Sequence, residues 1–325
     1  MKFIKYFIFA LLISSLNAKP IIIKLATLAP EGTPYYNLLL EMGQRWEKET
    51  NGKIQLRIYP NGVVGGEKET IRRMRIGQIQ GSAMSSIGLA ELTKKINAFT
   101  LPLAFSDYQD VESAKKVMFD EIHDGLIDSG FKLLFLVDIG WVYWFSKDNI
   151  TFPQDLKDSK IYTTAGDYVT VELFKKFGFN AVPVSENDIL TGLQTGMINS
   201  MQTVPILALS SGWSALMPNM LDLKWGAFIG AVIIDNRVWQ KISESDRLIL
   251  EKIALDIGEK YQSTSRSLER KAIDAMKENG MNIITLSPEE LLIWNEFKDE
   301  ITPDVIETFL SEEIYQKVIY SISND

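Results

Sequence analysis

The sequence predicts an α/β protein of two lobes, and three observations carry that prediction. Short apolar strands alternate with amphipathic helices along the chain, the pattern of sheets covered by helices. The chain has 325 residues, more than a single hydrophobic core usually holds. Between Ser243 and Gly280 lies an amphipathic stretch long enough to reach across both lobes.

The elements follow in order. Ile21 to Thr27 reads as a buried strand. Tyr35, Leu38, Leu39, Met42 and Trp46 recur at helical spacing, and Asn51-Gly52 ends that helix with residues that tolerate the left-handed conformation. Ile54, Leu56 and Ile58 alternate with Gln55, Arg57 and Tyr59, a half-buried strand. Glu67 to Ile76 is expected to be helical, and Ser82 to Ile87 a strand. Trp141-Val142-Tyr143-Trp144-Phe145 forms another strand. Its alternation sends Trp141, Tyr143 and Phe145 to one face and Val142 and Trp144 to the other, so all five cannot line one cleft. Core packing and ligand contact are both open readings for each of these rings. Tyr162, Trp213 and Trp225 add aromatic surface to the same region. A helix over Val169 to Phe177 has Asp167 placed to cap it.

Ser243-Glu244-Ser245-Asp246 fits a capping box for the long helix, and Gly280 fits the residue just past its end. Leu248, Leu250, Ile253, Ala254, Ile257 and Tyr261 form its apolar stripe. The polar stretch Gln262 to Ser267 separates them from Ala272, Ile273 and Met276. A continuous helix would run on the order of 50 Å and bridge two lobes over a wet gap. The other reading is two helices broken near Ser263, where helix preference is weak.

Residues 1–18 have the layout of a cleavable secretory leader: Lys2 and Lys5, an apolar run from Tyr6 to Leu12, and a small residue at Ala18. Leu16 at the third position before that cut is larger than the usual residue, which leaves an uncleaved anchor as the alternative. No cysteine follows the apolar run to accept a lipid, and a chain without any cysteine suits an oxidising compartment. Loss of Lys2 and Lys5 takes the formal charge from -8 to -10. An acidic chain of this kind is not expected to bind nucleic acid. No later segment approaches the length of a membrane span.

Catalytic chemistry is thinly supplied. His123 is the only imidazole and sits among acidic neighbours in DEIHDGL, a solvated helix surface rather than a base. No H-E-x-x-H or paired histidine offers a transition-metal site, and no cofactor is expected. Asn61-Gly62-Val63-Val64-Gly65-Gly66 is read as a turn, because Glu67 separates Gly66 from Lys68 where a phosphate-binding loop needs Gly-Lys-Ser/Thr in succession. Asp155 and Asp158 lie in an expected turn. A hard cation is not indicated by any oxygen-rich loop motif.

Several runs in register carry a family resemblance: Lys48 to Gln80 (KETNGKIQLRIYPNGVVGGEKETIRRMRIGQIQ), Leu101 to Phe105 (LPLAF), Asp155 to Pro205, and Ala227 to Trp239. Together they resemble the solute-binding subunit of tripartite ATP-independent periplasmic (TRAP) transporters over nearly the whole chain after the leader. The resemblance implies a two-lobed periplasmic-binding-protein (Venus flytrap) fold with a long helix crossing both lobes. It also implies capture of a small solute between the lobes and delivery to the membrane subunits of an ion-driven permease. The first lobe is expected over 19–139 plus 228–266, and the second over 140–227 plus 267–325.

The family arginine that grips a carboxylate falls on Tyr162, and no arginine occurs between Gly140 and Gly226. A phenol cannot reproduce the two parallel charged hydrogen bonds of a guanidinium. The expected solute is therefore apolar, aromatic or largely uncharged, and a cation over a tryptophan near Asp167 is the runner-up. Arg57, Lys224 and Arg237 are the basic residues that could reach the site from elsewhere. The ligand-binding candidates are Trp141, Tyr162, Thr164, Asp167, Gln202, Thr203 and Trp225. Branches of the family without the arginine imply a helical-repeat periplasmic partner as well. An ABC-transporter binding protein or a receptor's sensor lobe shares the architecture and is the alternative class.

Overall fold

The computed structural model describes residues 19–323, so the expected leader lies outside the described residues. The first half contains β1 (Ile21–Thr27), α1 (Pro34–Glu49), β2 (Ile54–Tyr59), α2 (Glu67–Arg75), β3 (Gly81–Ser85), α3 (Ser86–Ala90) and α4 (Tyr108–Asp128). The long strand β4 (Phe131–Ser146) leads into β5 (Lys160–Thr164), α5 (Tyr168–Lys176), β6 (Asn180–Val184), α6 (Ile189–Thr195), β7 (Ser200–Thr203) and α7 (Pro205–Ser210). A second long strand, β8 (Asn219–Asp235), returns, followed by α8 (Asn236–Trp239), α9 (Glu244–Glu278), β9 (Asn282–Ile284), α10 (Pro288–Phe309) and α11 (Glu312–Ser323).

Local chemistry accounts for most boundaries. Thr33 caps α1 by accepting the Tyr36 N–H, and the chain leaves α1 through Asn51 at φ 53° and Gly52 at φ 78°. Ser85 ends β3 two residues sooner than expected: its hydroxyl accepts the Ile87 N–H and starts α3, so Ile87 is helical rather than extended. Asp167 caps α5 and Ser243 caps α9.

The strands form one sheet in the order β2-β1-β3-β8-β4-β7-β5-β6, with β9 added beside β8. β1, β2 and β3 are mutually parallel, as are β5, β6 and β7, while β8 runs antiparallel to β3 and β4. β4 and β8 pair from Phe131↔Asp235 to Ser146↔Asn219, joining both halves. Their register shifts three times, once between Asp138 and Gly140, where Gly140 takes φ 157°. Such register changes bend a strand and increase its twist.

α9 is a single helix of 35 residues, which settles the choice between one helix and two. It packs on α1 in the first lobe, on β4, and on α7 in the second. The expected wet gap beneath its polar middle is absent among the described residues. Arg266 pairs with Asp138 at 2.9 Å, Lys115 with Asp138 at 3.1 Å and with Gln262 at 3.2 Å, and Ser265 is buried. The inward side of the polar stretch holds partners on α4 and β4, while Ser263 is exposed. Within the tail expected in the second lobe, α11 packs instead against α4, and Lys317 pairs with Glu121 at 3.0 Å. The apolar face of α11 buries Ile314 and Val318 there.

Three hydrophobic clusters hold the layers. Ile23, Leu25, Leu39 and Trp46 join Ile253 and Ile257 of α9 on one face of the first lobe. A second cluster covers the other face and continues into the second lobe through Trp141, Tyr143 and Phe145. The third packs Trp144, Trp225 and Trp294 edge to face, with centroids 5.6 and 6.0 Å apart. The aromatic strand thus alternates as its sequence predicts, with Val142 also on the side of Trp144.

Candidate functional site

The two parallel sets point at each other. Ser85, at the carboxyl end of β3, pairs with Gly230, which pairs with Val137 of β4. Thr203, at the carboxyl end of β7, pairs with Tyr143 of the same strand from the other direction. Both sets therefore end on the segment around Gly140. Ligands of open α/β sheets bind outside the carboxyl ends of the strands, and here two such edges face one cleft.

On the first lobe the wall is the loop after β2, which turns through Asn61 (φ 57°), Gly62 (φ 64°) and Gly65 (φ 108°). Glu67 opens α2 behind it. Its carboxylate accepts the Ser85 N–H at 2.6 Å, the Ser85 hydroxyl at 2.8 Å and the Gly88 N–H at 2.7 Å, tying α2 to the end of β3 and the start of α3. Burial, with help from Glu186, pushes the Glu67 carboxyl up to about 7 against the pull of those donors.

On the second lobe the wall is the end of β5. Tyr162 is half-buried, and its hydroxyl lies 3.3 Å from the Thr164 hydroxyl. Burial raises the Tyr162 phenol, and Glu186 and Asp167 add to this while Thr164 opposes it. Glu186 extends from the loop after β6 toward the first lobe, where a Cβ on Gly66 would stand 3.9 Å from its carboxylate. None of Glu67, Asp167 and Glu186 takes part in an ion pair among the described residues. The cleft rim around Tyr162 is acidic.

The other residues singled out from sequence fall in three places. Trp141 is buried at the seam, its ring 5.0 Å from that of Tyr108 and 4.9 Å from the Lys224 ammonium. Asp167 spends its carboxylate on Thr170, accepting from the backbone at 3.1 Å and the hydroxyl at 2.7 Å. Thr203 is buried at the end of β7. Gln202 and Trp225 belong to the opposite face of the second-lobe sheet from Tyr162, beside Trp144. Tyr162 and Thr164 are thus brought together, while Trp225 and Gln202 stand apart from them.

Each basic candidate already has a partner. Arg237 binds Asp235 at 3.0 Å and the Met74 carbonyl at 3.1 Å, and Arg57 lies over Tyr59. Lys224 donates to the Ser106 carbonyl at 2.6 Å. His123 lies beside Phe119 and 3.2 Å from Asp124, on the outer side of α4. Glu67, Glu186 and Glu269 were not among the sequence candidates; only Glu67, inside its Gly-Gly-Glu turn, carried a local signal. No group of three or more His, Cys, Asp or Glu side chains is placed to hold a metal, and no helix is long and apolar enough to cross a membrane, among the described residues.

This architecture matches proteins of known class. Residues 25–309 match the family model of the bacterial extracellular solute-binding proteins, family 7. The C4-dicarboxylate-binding periplasmic protein DctP of Rhodobacter capsulatus is 24% identical over 305 residues, covering 91% of this chain and 90% of that protein. A TRAP periplasmic solute-binding protein of Xanthobacter autotrophicus, solved with β-D-galacturonate, superimposes with a TM-score of 0.83 at 20% identity, covering 93% of this chain and 100% of that one. A second, from Haemophilus influenzae with L-gulonate, gives 0.81 at 22% identity, covering 93% and 98%. With the family model spanning most of its length and two carboxyl-end walls facing one cleft, the chain belongs to the DctP family, family 7 of the bacterial extracellular solute-binding proteins.

Proposed function

We propose that this chain captures a small, largely uncharged organic solute with an apolar or aromatic body in the cleft beside Tyr162 and Thr164. It then presents the closed form to the membrane subunits of a TRAP permease. We take it as a binding protein without turnover, exported by cleavage after Ala18; a mature N-terminus at Lys19 in the periplasmic fraction is the expected result. We take the lobe boundary to lie near Gly140 and Phe228, a reading supported by the change of register of the paired crossing strands there. A helical-repeat periplasmic partner remains part of this reading on the strength of the family resemblance.

The observation that carries the solute class is the neighbourhood of Tyr162. Relatives have been solved with sugar acids, β-D-galacturonate and L-gulonate among them. In this chain a carboxylate placed at Tyr162 would meet a phenol instead of a charged fork, with Glu186 and Asp167 close by. Burying an anion there without a paired cation is costly. The same acidic rim favours a cationic solute as the second reading.

A thermal-shift panel of sugar acids, dicarboxylates, neutral aromatics and quaternary amines tests this. A ligand at a hundred times its dissociation constant stabilises by about 2.7 kcal/mol, enough to resolve. Neutral aromatics should shift the melting point, and small-angle scattering with the best of them should show a smaller radius of gyration as the lobes close. Shifts confined to the sugar acids and dicarboxylates would overturn the solute class.

A further inference from the structure

Four of the six buried side-chain polar atoms without a partner among the described residues belong to one patch: Trp144 Nε1, Gln202 Nε2, Ser200 Oγ and Thr163 Oγ1. Register places them on a common face. Gln202 pairs with Trp144 across β7 and β4, Ser200 precedes Gln202 by two positions, and Ser200 pairs with Ile161, two positions before Thr163 on β5. Trp144 is 1% exposed, Ser200 0% and Thr163 4%. The face is that of the Trp144–Trp225–Trp294 cluster, and Thr163 and Gln202 lie toward the edge that meets the first lobe.

Leaving a buried donor unpaired costs about 1–3 kcal/mol, and central strands hold apolar side chains at no such cost. Four such groups on three adjacent strands therefore point to a missing partner. All four are neutral, and the indole N–H and the amide NH2 are donors. The complementary group is a neutral acceptor: a carbonyl, ether or ring nitrogen. A carboxylate among four neutral groups would lack a counter-charge.

The aromatic cluster on this face is also touched by the loop before α4. Leu103, in the loop before α4, packs on the aromatic cluster and donates its N–H to the Trp225 carbonyl at 2.8 Å, holding the left-handed φ of 52°. Such a backbone is rare for leucine and is kept where surrounding contacts demand it. Separation of the lobes would withdraw Leu103 and open the patch to whatever enters the cleft.

We propose that Trp144, Gln202, Ser200 and Thr163 form a polar subsite for a neutral hydrogen-bond acceptor of the solute, uncovered when Leu103 moves away and sealed when it returns. This rests on the reading of the chain as a cleft-closing binder and names the chemistry of one end of its solute, the end that reaches past the carboxyl edge of β5 and β7 to the face opposite Tyr162.

The test follows the seven indole N–H signals of the full mature chain labelled with 15N-tryptophan, the Trp144 signal being identified with Trp144→Phe. Acetophenone, ethylbenzene and benzoate are titrated in parallel. The expected result is a downfield shift of the Trp144 signal with acetophenone alone, and a dissociation constant raised about fivefold by Gln202→Leu, the loss of one neutral hydrogen bond. Ser200→Ala and Thr163→Val, which remove unpaired hydroxyls and should leave the fold intact, should weaken acetophenone in the same direction. If other indole signals move while that of Trp144 stays, the subsite is wrong and the cleft reading stands. If benzoate shifts Trp144 as acetophenone does, the neutral-acceptor assignment is wrong. No response of any indole to any of the three counts against both readings.

Discussion

The carboxylate of Glu269 on α9 accepts the backbone N–H of Trp141 on β4 at 2.7 Å. Trp141 stays in register with Ala227 of β8, and Glu269 supplies the partner of its N–H from the long helix. The same carboxylate accepts the Tyr108 hydroxyl at 2.5 Å. One side chain thus ties together the helix, the crossing strand and α4 at the seam between the lobes.

Glu269→Ala should therefore cost about 2–5 kcal/mol, because it orphans two buried donors. Urea unfolding measures this. Glu269→Gln, whose amide oxygen can still accept, should cost less. Equal costs for the two variants would mean that the charge, and not the acceptor, supports the seam.

Glu67 predicts a pH dependence. Its carboxyl is pushed up to about 7 from the ordinary 4.5 of a glutamate, mainly by burial. The folded state then holds this proton more tightly than the unfolded chain, so the stability from Glu67 is fully present below about 4.5 and is lost as pH rises through about 7. Across that window the wild type should lose melting temperature relative to Glu67→Gln. Glu186→Gln removes the neighbouring charge and should move the loss to lower pH. Parallel profiles for wild type and Glu67→Gln would refute the assignment.

Tyr162→Arg should fail to restore tight binding of a sugar acid by itself. The new guanidinium would face Glu186 and Asp167, which add to the raising of the Tyr162 phenol. In the double variant Tyr162→Arg/Glu186→Gln the fork is freer, and galacturonate should bind at least about tenfold tighter than to the single variant, as expected for releasing a charged hydrogen-bonding partner. Calorimetry decides; equal affinities would show that Glu186 does not compete for the site.

Trp294 anchors α10 to the second lobe. It is fully buried, lies edge to face with Trp225, and donates its indole N–H to the Thr151 carbonyl at 2.8 Å. Trp294→Ala should cost about 3–5 kcal/mol in urea unfolding. A loss below ~1 kcal/mol would mean that α10 docks through its other contacts.

Periodicity and capping determined much of this protein from the sequence alone. The alternation of Trp141, Tyr143 and Phe145 against Val142 and Trp144, the Asp167 cap, the Asn51-Gly52 stop and the two ends of α9 all follow from interactions within a few residues. Such interactions are the same wherever the segment lies in the fold. The tertiary structure alone decided what distant residues would meet. Trp141 and Glu269 are 128 positions apart, the inward side of the polar middle of α9 found Asp138 and Lys115 instead of solvent, and α11 returned to α4. Gln202 and Tyr162 share a lobe but occupy opposite faces of its sheet, because register places them there. Composition and spacing carry no record of which face of which strand will be adjacent, since that is set by packing across the whole sheet.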